Sequence, residues 1–127
     1  MLPGFKEHTA DLTDADMRLC RVAWVILNRV FQTGKSITNK EIDTYIASET
    51  GQRAGGPKIR KMINWMHTSG HLPGLIADSK GYRKAKSLKE LEEYAASLKG
   101  RITAIQARLR AVKKDMDNHE QQQLTFK

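Results

Sequence analysis

The chain has 127 residues, which is the length of about one domain. Hydrophobic residues make up 39% and charged residues 28%, a composition that excludes collagen-like and low-complexity classes. No apolar run approaches the roughly 20 residues of a membrane span, and the first twelve residues lack the layout of a secretory signal. The single cysteine, Cys20, cannot form an internal disulfide. We therefore expect a cytoplasmic protein.

The net charge of +8 is concentrated in a short part of the chain. Residues 1–52 carry six cations and seven acids, residues 53–86 carry eight and one, and residues 87–127 carry eight and six. The middle segment therefore has a net charge of +7. An ordinary solvated surface mixes both signs. We expect this segment to face a polyanion, with nucleic acid the first choice and an anionic membrane the second.

The first predicted element is a helix over residues 14–33. Thr13 is a suitable N-cap, and Gly34 is a suitable terminator. Apolar residues recur between them at spacings of three and four, which indicates one buried face. That face comprises Leu19, Val22, Ala23, Ile26, Leu27 and Val30.

Two further helices and a hairpin follow. Thr38 and Glu41 form a capping box that opens the second helix, which should end near Gly51. Pro57 suits the first position of a third helix over residues 57–69. After it, the short apolar run 72–78, the turn Ser79-Lys80-Gly81 and the run Tyr82-Arg83-Lys84-Ala85 are typical of a β-hairpin.

The order of three helices and a hairpin resembles the winged helix-turn-helix proteins of bacteria and bacteriophages. Their DNA-binding domain is similar to the tract TNKEIDTYIASETGQRAGGPKIRKMINWMHTSGHLPGLIADSKGYRKAKS. The wing and the following helix of small phage proteins of this kind are similar to the tract IADSKGYRKAKSLKELEEYAASLKGRI. The loop around residues 49–56 is longer and richer in glycine than their usual turn, which leaves the angle of the third helix open. The resemblance implies a mostly α fold and a non-catalytic regulator of transcription or replication.

It also implies a binding surface for double-stranded DNA. The third helix would enter the major groove, where Arg60 suits guanine and Asn64 suits adenine. Backbone N–H groups near Gly55 and Gly56 would meet phosphate at the start of that helix. The remaining cations would contact phosphate, or the minor groove in the case of the hairpin: Arg53, Lys58, Lys61, Lys80, Arg83 and Lys84.

A long helix is predicted from Ser87, which begins a second capping box. Its apolar positions alternate at intervals of three and four over about 43 Å, the period of a left-handed coiled coil. We expect this helix to mediate homodimerisation; the alternative is that it packs on its own domain. The charges that flank the apolar positions do not favour a parallel pair of helices, so an antiparallel pair and an offset pair remain alternatives. The candidate contacts are Leu91, Leu98, Ile102, Ile105, Leu109 and Val112, flanked by Leu88, Ala95 and Met116.

The predicted organisation is an arm over residues 1–12, a winged domain over 13–86, a coiled coil over 87–117 and a flexible tail over 118–127. In the tail, Gln123, Leu124 and Phe126 resemble the peptides that bind the bacterial sliding clamp, although one residue is missing before Phe126. This resemblance implies a clamp or another replication protein as a further partner. An ordinary tail is the alternative.

Enzyme motifs are weak. His67 and His71 are separated by a helix end, and Gly34-Lys35-Ser36 follows a predicted helix and lacks the upstream glycine of a phosphate loop. We therefore expect no catalysis, no cofactor and no metal. The alternative function is a protein-interaction adaptor that uses the winged domain and the coil to assemble a complex. Membrane binding ranks last, because the basic segment contains a hairpin rather than a basic amphipathic helix.

Overall fold

The computed structural model describes residues 12–125, and side chains from residue 12 to residue 121. The chain divides after Ser87 into two compact units. The described residues form a mostly helical fold with one two-stranded hairpin, as predicted. The elements are α1 (Asp14–Thr33), α2 (Asn39–Thr50), α3 (Gly56–Thr68), β1 (Leu75–Asp78), β2 (Gly81–Lys84) and α4 (Leu88–Thr125). No helix among these described residues is long and apolar enough to cross a membrane.

The helix boundaries follow from local capping. Thr13 and Thr38 each complete a capping box, with Asp16 and Glu41 as the third residues of α1 and α2. Gly34 and Gly51 end these two helices in the left-handed conformation that glycine adopts without strain. The predicted bounds of both helices are confirmed. The third helix begins one residue earlier than predicted, at Gly56, so that Pro57 occupies its second position.

The core of the first unit lies where α1, α2 and α3 pack on one another and β2 packs on α1. In α3 the apolar residues Ile59, Met62, Ile63 and Met66 are all buried, whereas in α1 the buried face differs from the prediction. Cys20 and Phe31 are buried, and Val22, Ile26 and Val30 are only partly buried. The fully buried large side chains are Leu27, Ile42, Ile46, Ile59, Met62, Met66 and Leu72.

The hairpin is tied to the helices by a short backbone bridge. Strands β1 and β2 pair antiparallel from Leu75 opposite Lys84 to Asp78 opposite Gly81. Ile37, in the connection between α1 and α2, exchanges two backbone hydrogen bonds with Tyr82, at 2.9 and 2.8 Å. Ile37 therefore pairs with the outer edge of β2, opposite β1, and it fixes β2 beside the helices.

Helix α4 is longer than predicted. Residues 118–125, expected to be a flexible tail, continue the helix to Thr125. Their glutamate and glutamines are good helix formers, and an established helix propagates through such residues without an apolar face. Residues 1–11 of the predicted arm over residues 1–12, and Phe126 of the predicted tail, lie outside the described residues.

The apolar stripe of α4 is exposed to solvent. The exposed fractions of its large side chains run from 37% at Leu91 to 71% at Leu88. The other exposed members are Leu98, Ile102, Ile105, Leu109, Val112 and Met116. A continuous apolar surface of this kind is unusual on a monomer.

Candidate nucleic-acid interface

The outward face of α3 carries polar side chains. Because Ile59, Met62, Ile63 and Met66 are buried, the opposite face is turned to solvent, and it presents Arg60, Asn64 and His67. Arg60 and Asn64 are the two residues predicted to read bases. His67 was missed as a member of this surface, although its spacing of three residues from Asn64 could have revealed it.

Lys58 is held against the first helix. Its Nζ donates to Asp16 Oδ1 at 3.1 Å, and the side chain of Asp16 is 8% exposed. The other carboxylate oxygen, Oδ2, accepts the backbone N–H of Thr13 at 3.0 Å. The Thr13 hydrogen bond and the Lys58 ammonium keep the pKa of Asp16 below its usual value, although burial opposes them. Lys58, predicted as a phosphate contact, therefore also ties the start of α3 to the start of α1.

The loop before α3 is organised by Asp43, a residue of α2. Its Oδ1 accepts the backbone N–H groups of Ala54 at 2.8 Å and Gly55 at 3.3 Å, and its Oδ2 pairs with Arg53 at 3.4 Å. Burial raises the pKa of Asp43, but these donors outweigh it and leave the pKa lowered. A carboxylate thus occupies backbone donors that were expected to meet phosphate, and Arg53 shares its charge with that carboxylate.

The hairpin turn is closed by Asp78. Its Oδ1 accepts the backbone N–H of Lys80 at 2.9 Å, and its Oδ2 accepts Nε of Arg83 at 3.2 Å. The Lys80 hydrogen bond is the largest cause of the lowered pKa of Asp78. The side chain of Arg83 is 24% exposed. Arg83 therefore braces the turn, while the side chain of Lys80 stays exposed.

The basic residues of the candidate surface consequently differ in their availability. Arg53, Lys58 and Arg83 are paired with carboxylates. Lys61 is partly buried and makes interactions of its own. Arg60, Lys80 and Lys84 are exposed, and no carboxylate within residues 12–121 forms an ion pair with them. The ion pairs of Asp16 and Asp43 could not be predicted from the sequence, because each carboxylate reaches its cation only through the tertiary fold.

An apolar groove of about 440 Å³ lies between α1 and α3. Trp24 and Val25 are 44% and 41% exposed in its wall, and Nε1 of Trp24 donates to the backbone oxygen of His71 at 3.1 Å. Burial raises the pKa of the Cys20 thiol in this groove to about 11, so a reactive thiolate is not favoured there. The groove is lined further by Met17, Arg21, Trp65 and Met66.

The described part of the chain contains no group of three or more His, Cys, Asp or Glu side chains placed to hold a metal ion. The ion pairs described above organise the start of α3 and the hairpin turn. Comparison of the chain with protein families, with curated proteins and with solved structures finds no match.

Proposed function

We propose that the first unit binds double-stranded DNA without catalysis and acts as a homodimer joined through α4. The observation that carries this proposal is the exposure of Arg60, Lys80 and Lys84, whose side chains form no ion pair with a carboxylate of residues 12–121. Exposed cations of this kind attract the phosphate backbone from a distance and neutralise it on contact. Asn64, exposed on the same helix as Arg60, supplies a side chain that can read a base.

The arrangement of elements supports a winged helix-turn-helix. In that fold the third helix enters the major groove and the hairpin reaches the adjacent backbone. The link between Ile37 and Tyr82 favours this interpretation, because it holds the hairpin to the helices as a wing. On this basis we place the protein in the cytoplasm of a bacterial or phage-infected cell, as a regulator of transcription or replication.

The proposed binding mode separates two roles. Arg60 and Asn64 contact base edges in the major groove and set specificity, whereas Lys80 and Lys84 contact phosphates and set register. Lys58 acts mainly by holding the start of α3 through Asp16. Arg53 contributes less net attraction than its exposure indicates, because Asp43 compensates its charge.

An electrophoretic shift assay tests the proposal, with random duplex DNA, single-stranded DNA and RNA at two salt concentrations. The wild-type protein should shift duplex DNA, and lower salt should strengthen the complex. Lys80→Ala with Lys84→Ala should weaken binding on every duplex, whereas Asn64→Ala should relax discrimination at one base pair of a selected site, by about 1–3 kcal/mol.

Lys35→Ala is the matched control, because Lys35 is an exposed cation in the loop after α1. It should leave the affinity nearly unchanged. An equal loss in the control would show that the attraction is not localised on the hairpin. No shift with any nucleic acid at low salt would overturn the proposal.

A protein-interaction adaptor is the second candidate, and the groove beside Trp24 and Val25 favours it. A partner peptide with an apolar anchor and a neighbouring acid would suit the apolar walls and Arg21. The binding of a sliding clamp by the end of the chain stays a prediction. Gln123 and Leu124 lie in the helical backbone of α4, and Phe126 lies outside the described residues. If the protein is an adaptor, we expect Trp24→Ala to remove partner binding, and we expect the wild-type protein not to shift duplex DNA in the electrophoretic assay.

A further inference from the structure

The exposed stripe of α4 has the period and length of a coiled-coil interface. Its members recur every 3.5 residues on average from Leu88 to Met116, so a second α4 is a surface that fits it over most of its length. We propose that two copies pair through α4 in antiparallel orientation, centred between Ile102 and Ile105. This inference rests on the homodimer of the proposed function and specifies its geometry.

The position of the centre follows from the heptad pattern. In an antiparallel coiled coil, each a residue of one helix packs against a d residue of the other. With the centre between Ile102 and Ile105, Ile102 packs against Ile105 of the second copy. The same register pairs Leu98 with Leu109, Ala95 with Val112 and Leu91 with Met116. Every stripe residue from Leu91 to Met116 then has an apolar partner.

Charge at the flanking positions favours the antiparallel pair. In a parallel pair Arg108 would face Lys113 of the second copy and Asp115 would face Glu120, so both contacts repel and no flanking pair attracts. In the antiparallel pair Glu92 faces Lys113 of the second copy, and this attraction occurs twice by symmetry. One kind of repulsive contact remains, between Arg101 and Arg108, and it also occurs twice by symmetry; the parallel pair has two kinds of repulsive contact and no attraction.

The distribution of cations along α4 also favours the antiparallel pair. Residues 99–114 contain six Lys and Arg and no acid. A parallel pair would align this basic stretch with itself over its whole length. The antiparallel register instead places residues 108–114, with four of the six cations, along residues 93–99 of the second copy, which begin at Glu93 and hold one cation, Lys99. The repulsion is therefore reduced.

The alternative antiparallel register, shifted by one heptad toward Leu88, also forms eight apolar layers. It sets Lys99 against Lys99 and Arg101 against Arg101 of the second copy, and Glu92 no longer meets Lys113. The register centred between Ile102 and Ile105 is therefore the one that charge selects.

This geometry separates the points at which the two chains enter the coil. Leu88 of one copy lies opposite residue 119 of the other, so the two Leu88 Cα atoms are about 46 Å apart at 1.5 Å per residue. The chains therefore enter the coil at opposite ends.

Disulfide trapping with Leu98→Cys and Leu109→Cys variants tests the orientation. In the antiparallel pair residue 98 meets residue 109, so only a mixture of the two variants should form a cross-linked dimer on mild oxidation. In a parallel pair each variant alone would cross-link. Wild-type protein is the control, because Cys20 is buried and its pKa is raised to about 11.

Charge reversal provides a second test that leaves the apolar layers intact. Lys113→Glu should weaken the antiparallel dimer by roughly threefold to tenfold, and adding Glu92→Lys should restore it. A parallel dimer would instead be strengthened by Lys113→Glu, because that change removes the repulsion from Arg108.

Sedimentation and DNA binding separate the possible failures. A monomer at tens of micromolar, self-linking of each single cysteine variant, or strengthening by Lys113→Glu would each overturn the antiparallel pair. A dimer that behaves as predicted but shifts no nucleic acid would instead overturn the DNA-binding function and leave the coil in place.

Discussion

At the scale of single residues, three aspartates decide how the basic segment is used. Asp16 holds Lys58, Asp43 holds Arg53 and two backbone donors, and Asp78 holds Arg83 and the hairpin turn. In each case the carboxylate pairs with a cation that sequence charge alone assigned to DNA. These cations have structural roles, which leaves Arg60, Lys80 and Lys84 as the exposed predicted contacts that form no ion pair with a described carboxylate.

Asp16→Asn should lower the free energy of unfolding at pH 7 by about 1–2 kcal/mol, because the charged partner of Lys58 is lost. The pKa of Asp16 is lowered in the folded protein, so its stabilisation is present above the unfolded pKa near about 4 and is lost as the pH falls through the folded pKa. Urea unfolding should therefore show a smaller difference in the free energy of unfolding between Asp16→Asn and wild type at pH 3 than at pH 7.

Asp14→Asn is the control for this measurement, because Asp14 is exposed in the same first turn. Its effect should stay within a few tenths of a kcal/mol. A loss for Asp16→Asn that is as large at pH 3 as at pH 7 would show that the carboxylate charge is not what stabilises the fold.

At the scale of elements, the hairpin depends on a glycine that the turn pattern indicated only as a turn residue. Gly81 has φ +111°, and a Cβ atom there would lie 2.3 Å from the backbone oxygen of Ile37. Local sequence identifies the turn, but the close approach of Ile37 comes from a segment more than 40 residues earlier in the chain. The need for glycine at this position is therefore partly tertiary.

Gly81→Ala should destabilise the first unit by at least about 2 kcal/mol, because backbone strain and a clash with rigid backbone act together. Gly51→Ala is the matched control, since Gly51 has φ +75° but open space around its Cβ position. It should cost only about 1 kcal/mol of strain. Equal losses of unfolding free energy for the two variants would show that the contact with Ile37 contributes nothing.

At the scale of the whole molecule, the proposed attraction of DNA by the net charge of +8 comes mainly from exposed cations that are not paired with carboxylates. If each unit contacts about six phosphates, the logarithm of the affinity should fall with the logarithm of the salt concentration with a slope near −5. Two units bound together would give a steeper dependence. The same exposed cations would steer DNA toward the surface before contact.

Replacing both Lys80 and Lys84 with Ala should flatten this slope by about 2, since each lost phosphate contact removes about 0.9. Arg53→Ala should change it less, because Asp43 already compensates that charge. Titrations of duplex DNA at several salt concentrations measure both effects. A slope that is unchanged in the double variant would place the phosphate contacts on another surface.

Local chemistry was sufficient to predict most of the fold. The capping residues Thr13 and Thr38, the terminators Gly34 and Gly51, and the apolar spacing define helices whose bounds the structure confirms. These signals act within one turn of the chain, so they can be read from neighbouring residues. The same rules missed the end of α4, because residues 118–125 continue the helix on propensity without an apolar face to reveal it.

The sequence by itself determined the four helices, the hairpin, the exposed polar positions Arg60 and Asn64 and the heptad stripe of α4. Only the tertiary structure decided which cations are paired, that Ile37 joins the hairpin, and that the apolar face of α1 turns toward Cys20 and Phe31. The physical reason is range. Capping and periodicity act over a few residues, whereas an ion pair such as Lys58 with Asp16 joins residues 42 positions apart, which meet only when α1 and α3 have packed.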